Sequence, residues 1–198
     1  MNMKIRRMLP FLFVAGSFAL VSFLPVNEPD LNEEKKRHST KRKNVYVRTS
    51  PSNPFYIIVD KSDYELKVYD DEGWYATYPI VFGSNDLGDK MREGDKKTPN
   101  GTFRIIQKRI NPKWGPQMLL DYPTKESFAR FNDRKAKGLL PSNARIGNGI
   151  AIHSTRPQEE WAVDNYYNWT DGCVSVKYTE MKDLYSYIPV GTVVTIQP

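Results

Sequence analysis

The run FYIIVDKSDYELKVYDDEGWYATYPIVF, from Phe55 to Phe82, decides the fold class. It divides into three β-branched and aromatic segments, residues 55–60, 65–69 and 74–82, in which apolar side chains recur with a period close to two. That period puts successive side chains on opposite faces of an extended chain. Lys61-Ser62-Asp63 and Asp70-Asp71-Glu72-Gly73 separate the segments and carry turn-forming residues, so the run predicts consecutive hairpins. Toward the C-terminus, residues 83–97 (GSNDLGDKMREGDKK) form a charged loop with three glycines, long enough to rim a site. Thr98-Pro99-Asn100-Gly101 is a turn that launches a further strand over residues 102–108, and Asn-Pro-Lys-Trp-Gly-Pro at residues 111–116 reads as irregular structure. Two helices are predicted. Residues 124–137 have Thr124 as N-cap, Phe128 and Phe131 on one face and Gly138 as the stop; residues 179–187 bury Met181, Leu184 and Tyr185 ahead of Pro189. A last strand covers residues 192–196, and no internal repeat is present. The expectation is a mainly β domain, a sandwich or barrel with one or two flanking helices.

The segment before the domain has a different composition. Lys4, Arg6 and Arg7 precede an uncharged apolar run over residues 8–26, the pattern of an export signal, and its length and flanks allow either a cleaved peptide or a retained membrane anchor. Residues 27–53 are polar and rich in Lys and Arg, and read as a flexible tether to a catalytic domain over residues 54–198. Charge counting locates the basic character. Residues 1–53 hold 10 Lys and Arg against 4 Asp and Glu, while residues 54–198 hold 19 against 19, so the net +6 belongs to the tail. A neutral domain gives no support to nucleic-acid binding. One cysteine excludes an internal disulfide, and one Cys with one His in the domain is a poor set of metal ligands, so neither a metal nor another cofactor is expected.

Those two residues carry the candidate chemistry. His153 ends a strand-like run at residues 149–153, and Cys173 begins another at residues 173–176. If the two strands pair, thiol and imidazole lie side by side, the minimum for an activated nucleophile. Gly172 permits close approach of a substrate, and its N–H with that of Cys173 would receive a developing oxyanion. The imidazole would be oriented by a backbone carbonyl near Ser154, by Asp164 or by Asp171. The competing explanation is a structural cysteine packed in a core.

Longer motifs favour catalysis. Gly94-Asp95-Lys96-Lys97-Thr98-Pro99-Asn100-Gly101-Thr102-Phe103 matches G-D-x-x-T-P-x-G-x-F, Ile150-Ala151-Ile152-His153 matches I-x-I-H, and Thr170-Asp171-Gly172-Cys173-Val174 matches T/S-x-G-C-V/I. In this order, and with Val190-Gly191-Thr192-Val193-Val194 at the end, the chain resembles the L,D-transpeptidase catalytic domain (YkuD-type) family. The resemblance implies a YkuD-type β-sandwich or barrel, and an exported cysteine acyltransferase of the periplasm or cell envelope acting on peptidoglycan stem peptides. It makes Cys173 the nucleophile that attacks the diamino-acid carbonyl and expels D-alanine, and His153 the general base. Gly172 becomes the neighbour of the oxyanion hole and Ser154 the residue whose main chain holds the imidazole. The family usually has a basic residue before Gly-Cys and Arg or Asn two residues after the Cys, where this chain has Asp171 and Ser175. Trp169-Thr170-Asp171-Gly172-Cys173 is similar to the YafK-like subgroup, some members of which hydrolyse wall attachments. Candidate substrate contacts are therefore Asp171, Thr170, Ser175, Arg156 and Trp169, with Arg156 or Lys97 as replacement cation. Trp161, Tyr166, Tyr167 and Trp169 read either as a lid or sugar-facing platform, or as packing for their loop. The alternatives are a carboxypeptidase or hydrolase of the same fold, acting on stem peptides or a wall-linked protein, and a non-catalytic wall-binding module. A retained anchor would add the inner membrane as a partner.

Overall fold

The structure is a computed structural model that describes residues 55–198 and a two-residue strand at residues 41–42. The expected export signal and the rest of the expected tether lie outside the described residues. In chain order the strands are β1 (Lys41–Arg42), β2 (Tyr56–Asp60), β3 (Glu65–Asp70), β4 (Gly73–Val81), β5 (Gly101–Asn111), β6 (Gly115–Leu120), β7 (Ala151–Ser154), β8 (Val174–Val176) and β9 (Val193–Gln197). Among the described residues three α-helices accompany them: α1 (Lys125–Ala136), a single turn α2 (Trp161–Asp164) after a 3-10 turn at Pro157–Glu159, and α3 (Tyr178–Tyr187). The single turn is additional to the two helices expected, because four residues are too few to show a helical period.

The strands run in the order β1-β4-β3-β2-β9-β5-β6-β7-β8, and a further β4–β8 pairing closes β2 to β9 into a ring. The two longest strands make the closure. β4 pairs with β3 through residues 73–79 and with β8 at Ile80 and Val81; β5 pairs with β9 through residues 101–104 and with β6 through residues 105–111. A register shift between Ile105 and Gln107 bends β5 where it changes partner. Closure gives every ring strand a neighbour on both sides. Alternation places Ile57, Val59, Leu66, Val68 and Tyr78 inside, where they meet Phe82, Phe103, Met118, Ile152 and Val194 in one core. Each such aliphatic side chain removed from water contributes roughly 1.5–3 kcal/mol. Helix α3 adds Met181 and Leu184 to this core, as its spacing predicts.

Two local expectations need correction. Residues 111–116 are a hairpin corner, since Asn111 Oδ1 accepts from the amides of Lys113 (2.8 Å) and Trp114 (3.2 Å), and β6 starts at Gly115 with Pro116 opposite Ile110. Proline masks a strand because it gives the ladder no N–H, yet near a strand's start it is tolerated. In α1 the buried positions are Ser127 and Phe131, and Phe128 is exposed. Thr124 does cap the helix, accepting from the Ser127 amide at 3.2 Å, and Gly138 beyond its end has φ +69°.

Residues 83–97 are extensively pinned. Lys61, fully buried, donates to Leu87 O at 2.5 Å and to Thr98 O at 3.4 Å. Asp89 accepts from the Asn100 amide at 2.9 Å, from Arg130 Nε at 3.0 Å and from Arg134 Nη2 at 2.7 Å, which fastens the loop to α1. Lys90 and Asp95 form an ion pair at 2.8 Å with side chains only 3% and 10% exposed.

Candidate active site

Strands β7 and β8 are parallel neighbours with His153 opposite Ser175 and Ile152 opposite Val174, so Cys173, just ahead of β8, arrives beside β7. The thiol donates to Gly149 O at 3.6 Å and accepts from the Ala151 amide. It is half-buried, whereas His153 retains 8% exposure. His153 Nδ1 lies 2.9 Å from Ser154 O. A carbonyl only accepts, so Nδ1 carries the proton and Nε2 is left with its lone pair. Asp164 does not orient the ring; it pairs with Lys177 at 2.5 Å. Asp171 is exposed and does not take Nδ1 either. Burial pushes the His153 imidazole below its ordinary pKa, against the opposing pull of the Ser154 carbonyl, and favours the neutral base.

The turn before Cys173 is held from within. Thr170, buried, donates through Oγ1 to Cys173 O at 2.7 Å and accepts from the Gly172 amide at 3.2 Å. The Gly172 N–H is therefore already engaged, which removes it from the pair of oxyanion donors expected from the sequence. Gly172 is needed for shape: φ is +127°, and a Cβ there would lie 2.7 Å from Lys97 O. Trp169 and Thr170 both donate their amides to Phe82 O, and Asn168 Oδ1 accepts from the Phe82 amide at 2.8 Å, which ties the turn to the end of β4.

The local cation is neither of the expected ones. Lys97 directs its ammonium to Asp86 at 2.5 Å and presents only its backbone carbonyl to Gly172. Arg156 pairs with Glu159 at 2.9 Å and stacks on Trp114, 4.8 Å from the ring centre. The charge beneath the turn comes from Lys90, whose Nζ lies 3.4 Å from the point a Gly172 Cβ would occupy and donates to Lys97 O at 3.3 Å. Burial raises the Cys173 thiol pKa; the Ala151 N–H and Lys90 oppose that rise, and Asp171 adds to it. Asp95, the aspartate of the G-D-x-x-T-P motif, resists burial through hydrogen bonds from Lys90 and from the amides of Arg92 and Met91, which hold its carboxyl below the usual range. Sequence reading missed Lys90, since nothing in GSNDLGDKMREGDKK distinguishes a buried lysine from its solvated neighbours. Ser175 is fully buried, and its hydroxyl has no hydrogen-bond partner.

The aromatic residues divide between two roles. Tyr166 packs edge-on against Tyr64 at 4.9 Å and holds the loop down. Trp169 meets the His153 ring edge-on at 5.5 Å and the Trp114 ring at 5.0 Å, while Trp114 lies 6.2 Å from His153. Trp114 was hidden in the Asn-Pro-Lys-Trp-Gly-Pro segment, and Ser154 Oγ, donating to Trp114 O, brings it to the site. Beyond these rings a cavity of about 290 Å³ opens between Trp114, Arg156, Glu159, Trp161, Ala162, Tyr167 and Trp169. Among the described residues, no group of three or more His, Cys, Asp or Glu converges to hold a metal ion.

Comparison with known proteins addresses the whole described domain. The profile of the YkuD L,D-transpeptidase catalytic domain matches residues 54–196. The protein named "Putative L,D-transpeptidase YqjB" of Bacillus subtilis (strain 168) is 30% identical over 147 residues, covering 74% of this chain and 72% of its own. Among solved structures, a mutant of the helical cell shape determining protein Pgp2 from Campylobacter jejuni superposes with a TM-score of 0.54 at 22% identity, over 84% of this chain and 52% of that one. An L,D-transpeptidase from Mycobacterium smegmatis gives 0.50 at 16% identity, over 81% and 68%. These two share the fold, and this chain spans about half of the Campylobacter protein. The chain belongs to the YkuD L,D-transpeptidase catalytic domain family.

Proposed function

We propose that this chain is an exported cysteine acyltransferase that cross-links peptidoglycan stem peptides, with Cys173 as nucleophile and His153 as general base. The observation that carries this reading is the parallel β7–β8 pairing, which sets the thiol beside a strand whose histidine has Nδ1 tied to Ser154 O and Nε2 left to accept a proton. Thiol and imidazole both rest neutral, because burial disfavours charge on each. Proton transfer from Sγ to Nε2 therefore accompanies attack on the carbonyl of the stem peptide's third, diamino-acid residue. The Cys173 amide is the oxyanion donor, since the Gly172 amide is held by Thr170. The C–N bond to D-alanine breaks as the imidazolium returns its proton to the leaving amine. An acceptor amine then loses a proton to Nε2 and takes the acyl group, which releases the thiol. Water as acceptor would yield a shortened monomer, the outcome for a hydrolase.

Incubation with a disaccharide-tetrapeptide, followed by mass spectrometry, tests both steps. A cross-linked dimer is expected, and Cys173→Ala should reduce it on the order of a thousandfold or more. Product formation unchanged by Cys173→Ala would sink the assignment, and a Cys173-dependent shortened monomer alone would replace transpeptidation by hydrolysis.

A further inference from the structure

Three of the chain's four tryptophans line the cavity beside His153, together with Tyr167 and the Arg156–Glu159 pair. The loop does not need them all for packing. Ala162 and Val163 are its buried contacts, and Tyr166 anchors it to Tyr64, while Trp161 and Tyr167 remain 52% and 56% exposed. These two rings lie 5.6 Å apart at 37° and form an open apolar face, which is costly unless something covers it. The same cavity is lined by the partly exposed guanidinium and carboxylate of Arg156 and Glu159, and the indole N–H of Trp169 is buried without a partner.

We propose that the cavity formed by Trp114, Arg156, Glu159, Trp161, Tyr167 and Trp169 binds one N-acetylhexosamine ring of the peptidoglycan glycan strand, a subsite separate from the one for the stem peptide. A pyranose has an apolar C–H face and a rim of hydroxyl and acetamido groups that donate and accept. It thus matches two aromatic faces that share a cavity with paired Arg and Glu. At about 290 Å³ the cavity is at the lower limit for ligand sites and holds one ring, not a whole disaccharide-peptide. Its position also fits. Three stem residues, the diamino acid included, connect a sugar to the reacting carbonyl and reach about 10 Å when extended. The wall rings Trp169 and Trp114 lie 5.5 Å and 6.2 Å from the His153 ring. The proposal rests on the peptidoglycan reading above, but its test needs no turnover.

Tryptophan emission of the full chain, titrated with a peptide-free N-acetylglucosamine hexamer, reads the subsite directly. A saturable change is expected, about tenfold weaker in Trp161→Ala and in Tyr167→Ala and weakened again in Arg156→Gln. Trp161→Phe keeps a stacking face and should hold binding close to that of the wild type, which separates stacking from misfolding. The proposal is overturned if the hexamer produces no saturable change, if both alanine variants bind it as the wild type does, or if a sugar-free stem tetrapeptide displaces it. Hexamer binding without any Cys173-dependent product would sink the reaction and keep the subsite. Cys173-dependent product without hexamer binding would sink the subsite alone.

Discussion

The turn that carries Cys173 lies between two walls built on opposite physical principles. On one side, β7 and β8 are buried at every position and are held by backbone pairing and apolar packing. On the other, residues 83–97 are held by charge: Lys61 on backbone carbonyls, Asp89 under two arginines, and Lys90 on Asp95. The first wall sets where the thiol and imidazole sit. The second sets the electrostatic field in which they work, since its buried ammonium is the cation that opposes the rise in the Cys173 pKa. Position and reactivity of one cysteine therefore depend on separate regions, and each can be disturbed without the other.

The sharpest way to break this division is Lys90→Met. It leaves Asp95 buried with an uncompensated charge, and removing one partner of a buried pair costs about 3–5 kcal/mol. Urea unfolding should show that loss. Iodoacetamide labelling of Cys173 in the folded variant should need a higher pH, because the opposing cation is gone. Lys90→Met with Asp95→Asn should regain much of the stability but not the labelling rate. Normal labelling in the single variant would show that the charged wall has no influence on the thiol.

Lys61 gives a smaller, pH-dependent effect within the same wall. Burial lowers its pKa from 10.5 to about 8, against Asp89 and Asp86, which favour the charge, and with Lys97, which opposes it. The unfolded chain keeps the ordinary value, so between pH 8 and 10.5 it binds more protons than the folded chain. Stability from this group therefore rises with pH through that window. Thermal unfolding of the wild type relative to Lys61→Met should show a gain of about 1–2 kcal/mol from pH 8 to pH 9.5. A difference that stays flat or falls with pH would mean that the ammonium is not desolvated in the folded chain.

The two walls also differed in how far they could be read from the sequence. Strand-like runs marked seven of the eight ring strands, all but β6, and the ends of β7 and β8 put His153 and Cys173 where backbone pairing would join them. β6 escaped because Gly115 and Pro116 look like a break, although the Asn111 side chain closes the hairpin that carries them. In the charged wall, Lys90 and Lys97 are seven residues apart and alike in type, yet one is buried under Gly172 and the other is spent on Asp86. A strand's pattern is local, whereas the burial of a lysine is decided by distant partners such as the Gly172 turn. Trp114 likewise reaches His153 only through the Ser154 contact, 40 residues along the chain.

Asp171 is the weakest lever, and it separates the two walls most finely. It occupies the position where the family usually has a basic residue, and its charge adds to the rise in the Cys173 thiol pKa. The carboxylate is exposed, so water and salt screen it, whereas Lys90 acts from a buried site. Asp171→Asn should therefore lower the pH midpoint of iodoacetamide labelling only slightly at low ionic strength, and by less in 0.5 M salt. Lys90→Met should shift the midpoint in the opposite direction and by an amount that salt changes little. If instead Asp171→Asn gave the larger shift, or one that salt did not weaken, the exposed turn would govern the thiol and the buried pair would serve only to hold the loop.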